Sequence, residues 1–317
     1  MSSDVRMKTD ISPQLSILTD LPVKQQTMAA RSHKYVCYEA ALQPRPGDDV
    51  AFYLDKYRRR REFVELPSEA EEVPLLLRED FSGTSMVSIE WAKSDPRRRS
   101  WAVDNDPEVF DWARSKHLPQ LSEEVKERVI LELRDVLEVA QAGLPAVDVV
   151  CANNFSWQCF KEEAALKKYF QTAFDGLRDG GIFVFDIFGG QDTLHESQEI
   201  ISSNEILLSD GAKGEFSYVY EQVKVDHVTN HMDIAVSFDF SDGSSLQHAF
   251  YYGWRVWSYR VVLGLLQQAG YRSVKLFKDF SDDEGKYRHG SGPMTVEEWE
   301  ELVRDEPYNS AYVVAFK

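Results

Sequence analysis

Three acids stand at or one residue past the ends of short, mostly apolar runs in this 317-residue chain: Glu79 after 73–77 and Arg78, Asp104 after 100–103, and Asp135 after 129–133 and Arg134. Between the first two lies the small-residue turn Phe81-Ser82-Gly83-Thr84-Ser85, followed by an amphipathic stretch through Met86, Ile89 and Trp91. A strand that ends in an acid and turns tightly into a helix makes a nucleotide cradle, because the N–H groups of the turn and of the helix N-terminus approach a ligand. A second acid behind the next strand grips both ribose hydroxyls. The dinucleotide form of this cradle needs G-x-G-x-x-G, and Gly83 is the one glycine here, so a pyrophosphate would lack close backbone approach. Asp135 stands where an adenine amino group would seek an acceptor. Asn153-Asn154-Phe155-Ser156-Trp157 follows the apolar run 147–152, where amides are unusual unless they meet a ligand; aromatic faces there would steady a cation by about 1 kcal/mol. Asp186, behind 182–185, would orient a substrate or accept a proton, and serves equally well as a helix cap.

Each residue has a plainer reading beside the functional one. Asp104 could simply open a helix, but Asp106 beside Pro107 already fills that role. Glu79 and Asp80 could be turn formers, Asp135 a cap, and 153–157 a loop packed by its own aromatics. Tyr251, Tyr252, Trp254 and Trp257 suffice as core anchors, although Tyr252 and Arg255 are the members expected to face a substrate, with Tyr252 a weak catalytic candidate beside Asp186. Tyr35 and Tyr38 would form a lid. His227 and His231 flank a turn without a ligand partner at metal spacing, so no metal site is expected.

The elements that must position these residues alternate. The expected order is a polar tail over 1–30, helices over 31–43 and 48–63 within a cap ending near 72, then strands at 73–77, 100–103, 129–133, 147–152 and 182–185 with helices between. The run Arg58–Arg61 reads as a solvated helix end, suited to the macrodipole. Strand–helix alternation at this spacing predicts an α/β, Rossmann-like, mostly parallel seven-stranded sheet with helices on both faces, whose ligands sit at the strands' carboxyl ends. Residues 191–256 break the rhythm. Met232, Ile234, Val236, Phe238 and Phe240 alternate with polar or small residues, and Asp242-Gly243 makes a hairpin turn, which predicts an antiparallel insertion of about three strands. A helix over 258–269 and strands at 274–277 and 311–316 resume the pattern.

The bulk properties narrow the partners. A formal net charge of −17 disfavours nucleic acid. Three cysteines without framework spacing suit a reducing compartment, and no run of about 18 apolar residues is present. A cytoplasmic protein with no membrane span is the expectation.

Leu77-Arg78-Glu79-Asp80-Phe81-Ser82-Gly83-Thr84 followed by Val103-Asp104-Asn105-Asp106-Pro107 resembles the class I methyltransferase superfamily, and most of all a subfamily with an L-R-E-D-F-C-G-T loop. Tyr38-Glu39, Asn153 to Trp157 and Tyr252-Gly253-Trp254-Arg255-Val256-Trp257 extend the likeness over roughly 31–317. The resemblance implies that S-adenosylmethionine binds with Glu79, Gly83 and Thr84 at its methionine end and sugar, Asp104 on the ribose, Asp135 and Val136 at the adenine, and Asn153, Asn154 and Phe155 on the carboxyl-proximal side. Tyr38, Arg78, Phe81, Ser82 and Asn105 complete the expected cofactor contacts, with Trp157, Tyr252 and Arg255 toward the substrate. Phe81 and Ser85 stand where the superfamily usually has glycine, and Ser82 replaces the subfamily cysteine. The implied activity is in-line methyl transfer to a small or cationic acceptor, with a protein acceptor as an alternative. A nicotinamide-dependent dehydrogenase and a non-catalytic cofactor-binding module are the rivals.

Overall fold

A computed structural model describes residues 26–42, 45–66, 73–281, 287–289 and 292–317. The stretch read as a tail lies outside them through residue 25, as does 67–72. The helices are α1 (Lys34–Ala41), α2 (Pro46–Arg58), α3 (Met86–Lys93), α4 (Pro107–Trp112), α5 (Glu123–Lys126), α6 (Glu163–Gly176), α7 (Tyr259–Ala269) and α8 (Val296–Asp305). The strands are β1 (Leu76–Asp80), β2 (Arg99–Asp104), β3 (Val129–Leu133), β4 (Val147–Ala152), β5 (Leu177–Gly189), β6 (Ser197–Leu207), β7 (Lys213–Asp226), β8 (His231–Phe240), β9 (Ser245–Arg255), β10 (Ser273–Ser281), β11 (Tyr287–His289) and β12 (Asn309–Phe316).

Two compact units result. The larger comprises Gln43–His195, Lys224–Asp233 and Tyr252–Lys317; the smaller comprises the described part of 1–42 with Glu196–Val223 and Ile234–Tyr251. The larger unit is built on a sheet ordered β11-β10-β12-β5-β4-β1-β2-β3. Apart from the three-residue edge strand β11, these are the seven expected strands. β1 pairs in parallel with β2 and β4, as do β2 with β3 and β4 with β5, while β12 runs antiparallel between β5 and β10. The chain therefore builds outward from β1 through β2 to β3 and restarts at β4 on the other side. That reversal opens a crevice at the carboxyl ends of β1 and β4.

Side-chain alternation gives the sheet two covered faces. On one, Val150, Phe183 and Phe185 pack with Tyr169 and Phe170 of α6 and Val262 and Leu266 of α7. On the other, Leu77, Val149, Cys151, Ile182 and Val184 pack with Phe52, Tyr53 and Tyr57 of α2 and Trp91 of α3. β4 is buried at every position, as its unbroken apolar run requires. Truncating a core ring such as Phe170 to alanine would cost about 3–5 kcal/mol.

Several boundaries differ from the sequence reading. β1 starts three residues later than expected and runs through Arg78, Glu79 and Asp80, because these three are buried, Arg78 and Asp80 as an ion pair and Glu79 on Ser88 N, rather than left in a loop. β5 begins at Leu177 and absorbs Asp179 to Gly181 with a register shift against β4. Arg60, expected in solvent, is buried with its guanidinium 3.8 Å from the Tyr57 ring centroid. α8 is an addition, opened by a reciprocal capping box between Thr295 and Glu298.

In the smaller unit the antiparallel sheet is ordered β6-β7-β8-β9, four strands rather than three. β6 is an edge strand, mostly exposed and bulged between Ile200 and Ser202, so it lacks the clean alternation that exposes β8 in the sequence. α1 lies in this unit, where Tyr35 and Tyr38 pack on Phe250 at 5.8 and 5.2 Å between ring centroids.

Candidate functional site

The bends that follow β1 and β4 are the most strained backbone of the larger unit. Six non-glycine residues among those described have positive φ, and four of them are Phe81, Ser85, Asn154 and Phe155. Each such residue costs about 1–3 kcal/mol, and strain of this kind persists where a site over-determines it. Both bends face the strand reversal. In the first, Phe81 turns left-handed as its ring tucks against Tyr169 and Phe160 at 5.4 and 5.9 Å. Gly83, at φ 50°, continues the turn; a Cβ there would meet nothing within 4 Å, so its backbone conformation, not space, calls for glycine.

Three carboxylates hold this bend and its neighbours. Asp104, at the end of β2, accepts from Gly83 N at 2.8 Å through Oδ2 and from Asp106 N at 3.0 Å through Oδ1. Glu79 accepts from Ser88 N of α3 at 2.8 Å, so its carboxylate takes up an N-terminal amide that the left-handed Ser85 does not cap. Asp186 of β5 accepts from Phe155 N at 2.7 Å, and its carbonyl receives the Trp157 indole N–H at 2.7 Å. Asp186 thereby ties the second bend at two points. Burial pushes Glu79 up to about 7, helped by the charges of Asp104 and Asp80, and pushes Asp186 up to about 7 as well. Asp104 is raised too, chiefly by burial.

Register places these groups on one face. Glu79 pairs with Cys151 and Ala152 with Phe185, so Glu79 in β1, Asn153 after β4 and Asp186 in β5 all point to the α2 side. Tyr53 of α2 reaches the same spot and donates to Asn153 Oδ1 at 2.7 Å. Asn153 Nδ2 is buried with no partner, as are the hydroxyls of Ser82 and Ser85. Glu79 and Asp186 meet no lysine or arginine among the described residues.

The opposite face is closed. Arg78 makes a two-point ion pair with Asp80 at 2.8 and 3.0 Å, and Tyr169 donates to Asp80 at 3.1 Å. Gly176 makes room for this guanidinium, since a Cβ there would lie 2.2 Å from Arg78 Nη1. Arg78 is thus not brought to the bend, contrary to its assignment as a cofactor contact.

Other expected site residues also take structural places. Trp157 is fully buried against Phe170 and Phe185 and is core, not a substrate wall. Val136 is core, and Asp135 caps the short helix after β3 by accepting from Leu137 N at 2.8 Å while staying exposed. Arg255 stacks on Trp257 at 3.9 Å and donates to Lys161 O at 2.7 Å, which clamps the chain leading into α6. Asn105 is exposed beside Asp104, and Ser82 and Thr84 are buried in the bend. Tyr38 belongs to the smaller unit. Tyr252 stacks on Trp254 at 5.3 Å, and Trp254 in turn meets Phe155 and Phe188.

The sequence reading missed Tyr53, Phe188 and Tyr308. Asp49, Tyr53 and Tyr57 form an i, i+4 stripe that signals a buried helix face and nothing more specific. Phe188 lies in a strand extension that periodicity does not reach. Among the described residues no group of three or more potential metal ligands occurs, and no helix is long and apolar enough to cross a membrane.

No family model and no curated protein matches the chain. Solved structures resemble it. An S-adenosylmethionine-dependent methyltransferase from Clostridium acetobutylicum is 15% identical, with 87% of this chain and 93% of that one covered and a TM-score of 0.55. DesVI of Streptomyces venezuelae is 11% identical over 91% of this chain and 98% of its own, with a TM-score of 0.57. CalS10, an amino pentose methyltransferase from Micromonospora echinaspora solved with S-adenosylmethionine bound, is 11% identical over 89% and 96%, with a TM-score of 0.54. These likenesses show that the fold is the Rossmann-like one that those methyltransferases share.

Proposed function

We propose that this protein binds S-adenosylmethionine at the carboxyl ends of β1, β2 and β4 and transfers its methyl group to a small or cationic acceptor. The observation that carries this reading is the charge of the cradle: buried carboxylates without cation partners surround a single-glycine bend. A diphosphate would meet Glu79 and Asp104 with no arginine or lysine among the described residues to offset them, whereas a sulfonium and an ammonium supply the missing positive charge. The orphaned Asn153 Nδ2 and serine hydroxyls fit a polar ligand. The L-R-E-D-F-C-G-T subfamily, with Ser82 at its cysteine, is the branch this loop suits, and the cytoplasm is the compartment its thiols suit.

S-Adenosylmethionine supplies a methyl group on a positively charged sulfur. Around it, Glu79 faces the cationic methionine end, Asp104 accepts the ribose hydroxyls, Asp135 offers an acceptor to the adenine, and Asn153 to Phe155 close the side nearest the acceptor. Fixing both partners in line contributes on the order of 7–11 kcal/mol. Calorimetry with S-adenosylmethionine and with NAD tests the assignment. Binding of the first without the second is expected; the reverse selectivity would replace methyl transfer by hydride transfer. Tight binding with no labelled product from small-molecule, peptide or protein acceptors would point to the non-catalytic module.

A further inference from the structure

We propose that the methyl acceptor is an amine, seated against the ring ladder Tyr308–Phe188–Phe155–Trp254–Tyr252 with its nitrogen at the Asp186 carboxylate, which takes the amine's proton. This rests on the methyl-transfer reading and narrows its acceptor side.

The ladder is continuous. Tyr308 stacks near Phe188 at 5.9 Å and 26°, Phe188 meets Phe155 edge-on at 4.8 Å, Phe155 meets Trp254 at 6.3 Å, and Trp254 stacks on Tyr252. Its middle is anchored, with Phe188 and Trp254 buried, and its Tyr308 end is 54% exposed. Asp186 and Phe188 share one face of β5, and the Asp186 carboxylate holds Phe155 N, so the acid sits at the foot of the ring that joins the two halves. If the ladder were core packing alone, a buried acid without a cation beside it would be a standing cost. The titratable groups on that face include Glu79, Cys151, Tyr312, Tyr53, Tyr57 and Asp49. The buried cation of α2, Lys56, is turned to Asp55 and to the rings of Phe52 and Phe277. Ring faces and an unpaired carboxylate both attract a cation, and together they select an ammonium over an alcohol, a thiol or an acid.

The same carboxylate solves the chemical problem of such an acceptor. An ammonium has no lone pair to attack with. Asp186, whose affinity for protons burial has raised toward neutrality, is suited to take one. R–NH3+ gives a proton to Asp186 and becomes R–NH2. Its lone pair forms the N–CH3 bond while the S–CH3 bond breaks and leaves its electron pair on sulfur. The positive charge ends on the methylated nitrogen, and Asp186 returns its proton to water.

The test uses the full chain saturated with S-adenosylhomocysteine and a panel of ring-bearing primary amines with matched alcohols, thiols and carboxylic acids. Calorimetry should show at least one amine binding tenfold or more tighter than its matched alcohol. Asp186→Asn, whose amide oxygen still accepts Phe155 N–H, should keep S-adenosylhomocysteine affinity within about threefold. It should lose the amine preference, slow labelled-methyl transfer on the order of 100-fold, and flatten the rise of rate with pH near 7. Tyr308→Ala should raise the amine's KM about tenfold. Equal binding of alcohols, or a panel in which no amine binds or is labelled, would overturn the amine assignment while leaving cofactor binding intact. An Asp186→Asn enzyme with an unaltered pH profile would remove Asp186 as the base. Failure of S-adenosylhomocysteine and S-adenosylmethionine to bind would sink the underlying methyl-transfer reading as well.

Discussion

Two carboxylates one residue apart in β1 meet opposite fates. Asp80 points to the α6 side, where Arg78 grips it at two points and Tyr169 donates a third hydrogen bond. Glu79 points to the α2 side, where it accepts from Ser88 of α3 and the nearby charges are the like charges of Asp104 and Asp80. Both are buried, so desolvation alone does not separate them. What differs is the partner: a fixed guanidinium closes the first, whereas the second has no cation beside it among the described residues. Strand alternation turns one acidic dipeptide into a structural brace and, in the function proposed above, a group that meets the ligand.

Breaking the brace should have the largest effect. Arg78→Met leaves Asp80 buried without its cation and should destabilise the fold by about 3–5 kcal/mol in urea unfolding, with cofactor affinity in the surviving folded fraction much less affected. The complementary change, Glu79→Gln, keeps an acceptor for Ser88 N–H. It should leave stability within about 0.5 kcal/mol or improve it slightly at pH 8, yet weaken S-adenosylmethionine binding by about 2 kcal/mol. Similar losses of both kinds in the two variants would erase the distinction between the faces. Asp104→Ala should also weaken cofactor binding by about 2 kcal/mol, the scale of lost charged hydrogen bonds, and unchanged affinity in calorimetry would remove Asp104 from the site. Tyr53→Phe should have the smallest effect, about 1 kcal/mol, by leaving Asn153 Oδ1 without its donor; heteronuclear NMR should place the shift changes in residues 153–157.

The sheet was legible because its strands are short apolar runs, and β3 and β4 match the expected boundaries residue for residue. Runs that include buried charges were not. Arg78, Glu79 and Asp80 look like loop in a hydropathy pattern, and only their alternation across two helix layers makes them strand. The acids at the ends of β1 and β2 are visible from their positions, whereas the separation of Arg78 from Glu79 depends on the strand continuing through both. Trp157 misled for the converse reason: an aromatic after a strand reads the same whether it lines a cleft or fills a core, and here its indole N–H is satisfied by Asp186 O. Tyr53 and Tyr308 carry no local signal of their place, because each arrives from an element far along the chain.

The unpaired acids also fix a pH signature. Glu79 and Asp186 stand at about 7 in the folded protein, above their unfolded values near 4, so their contribution to the stability of the ligand-free protein is full below about pH 4 and lost as pH rises through 7. S-Adenosylmethionine, whose cationic methionine end faces Glu79 in the proposed complex, favours the ionised form of that acid and must reverse its part of the trend. Titration calorimetry with S-adenosylmethionine at pH 6 and pH 8, in buffers of different ionisation enthalpy, reads this directly. Affinity about tenfold or more higher at pH 8, with protons released on binding at pH 6, is the expected result. A pH-independent affinity without proton release, or no binding at either pH, would contradict the claim that the open carboxylates await a cation.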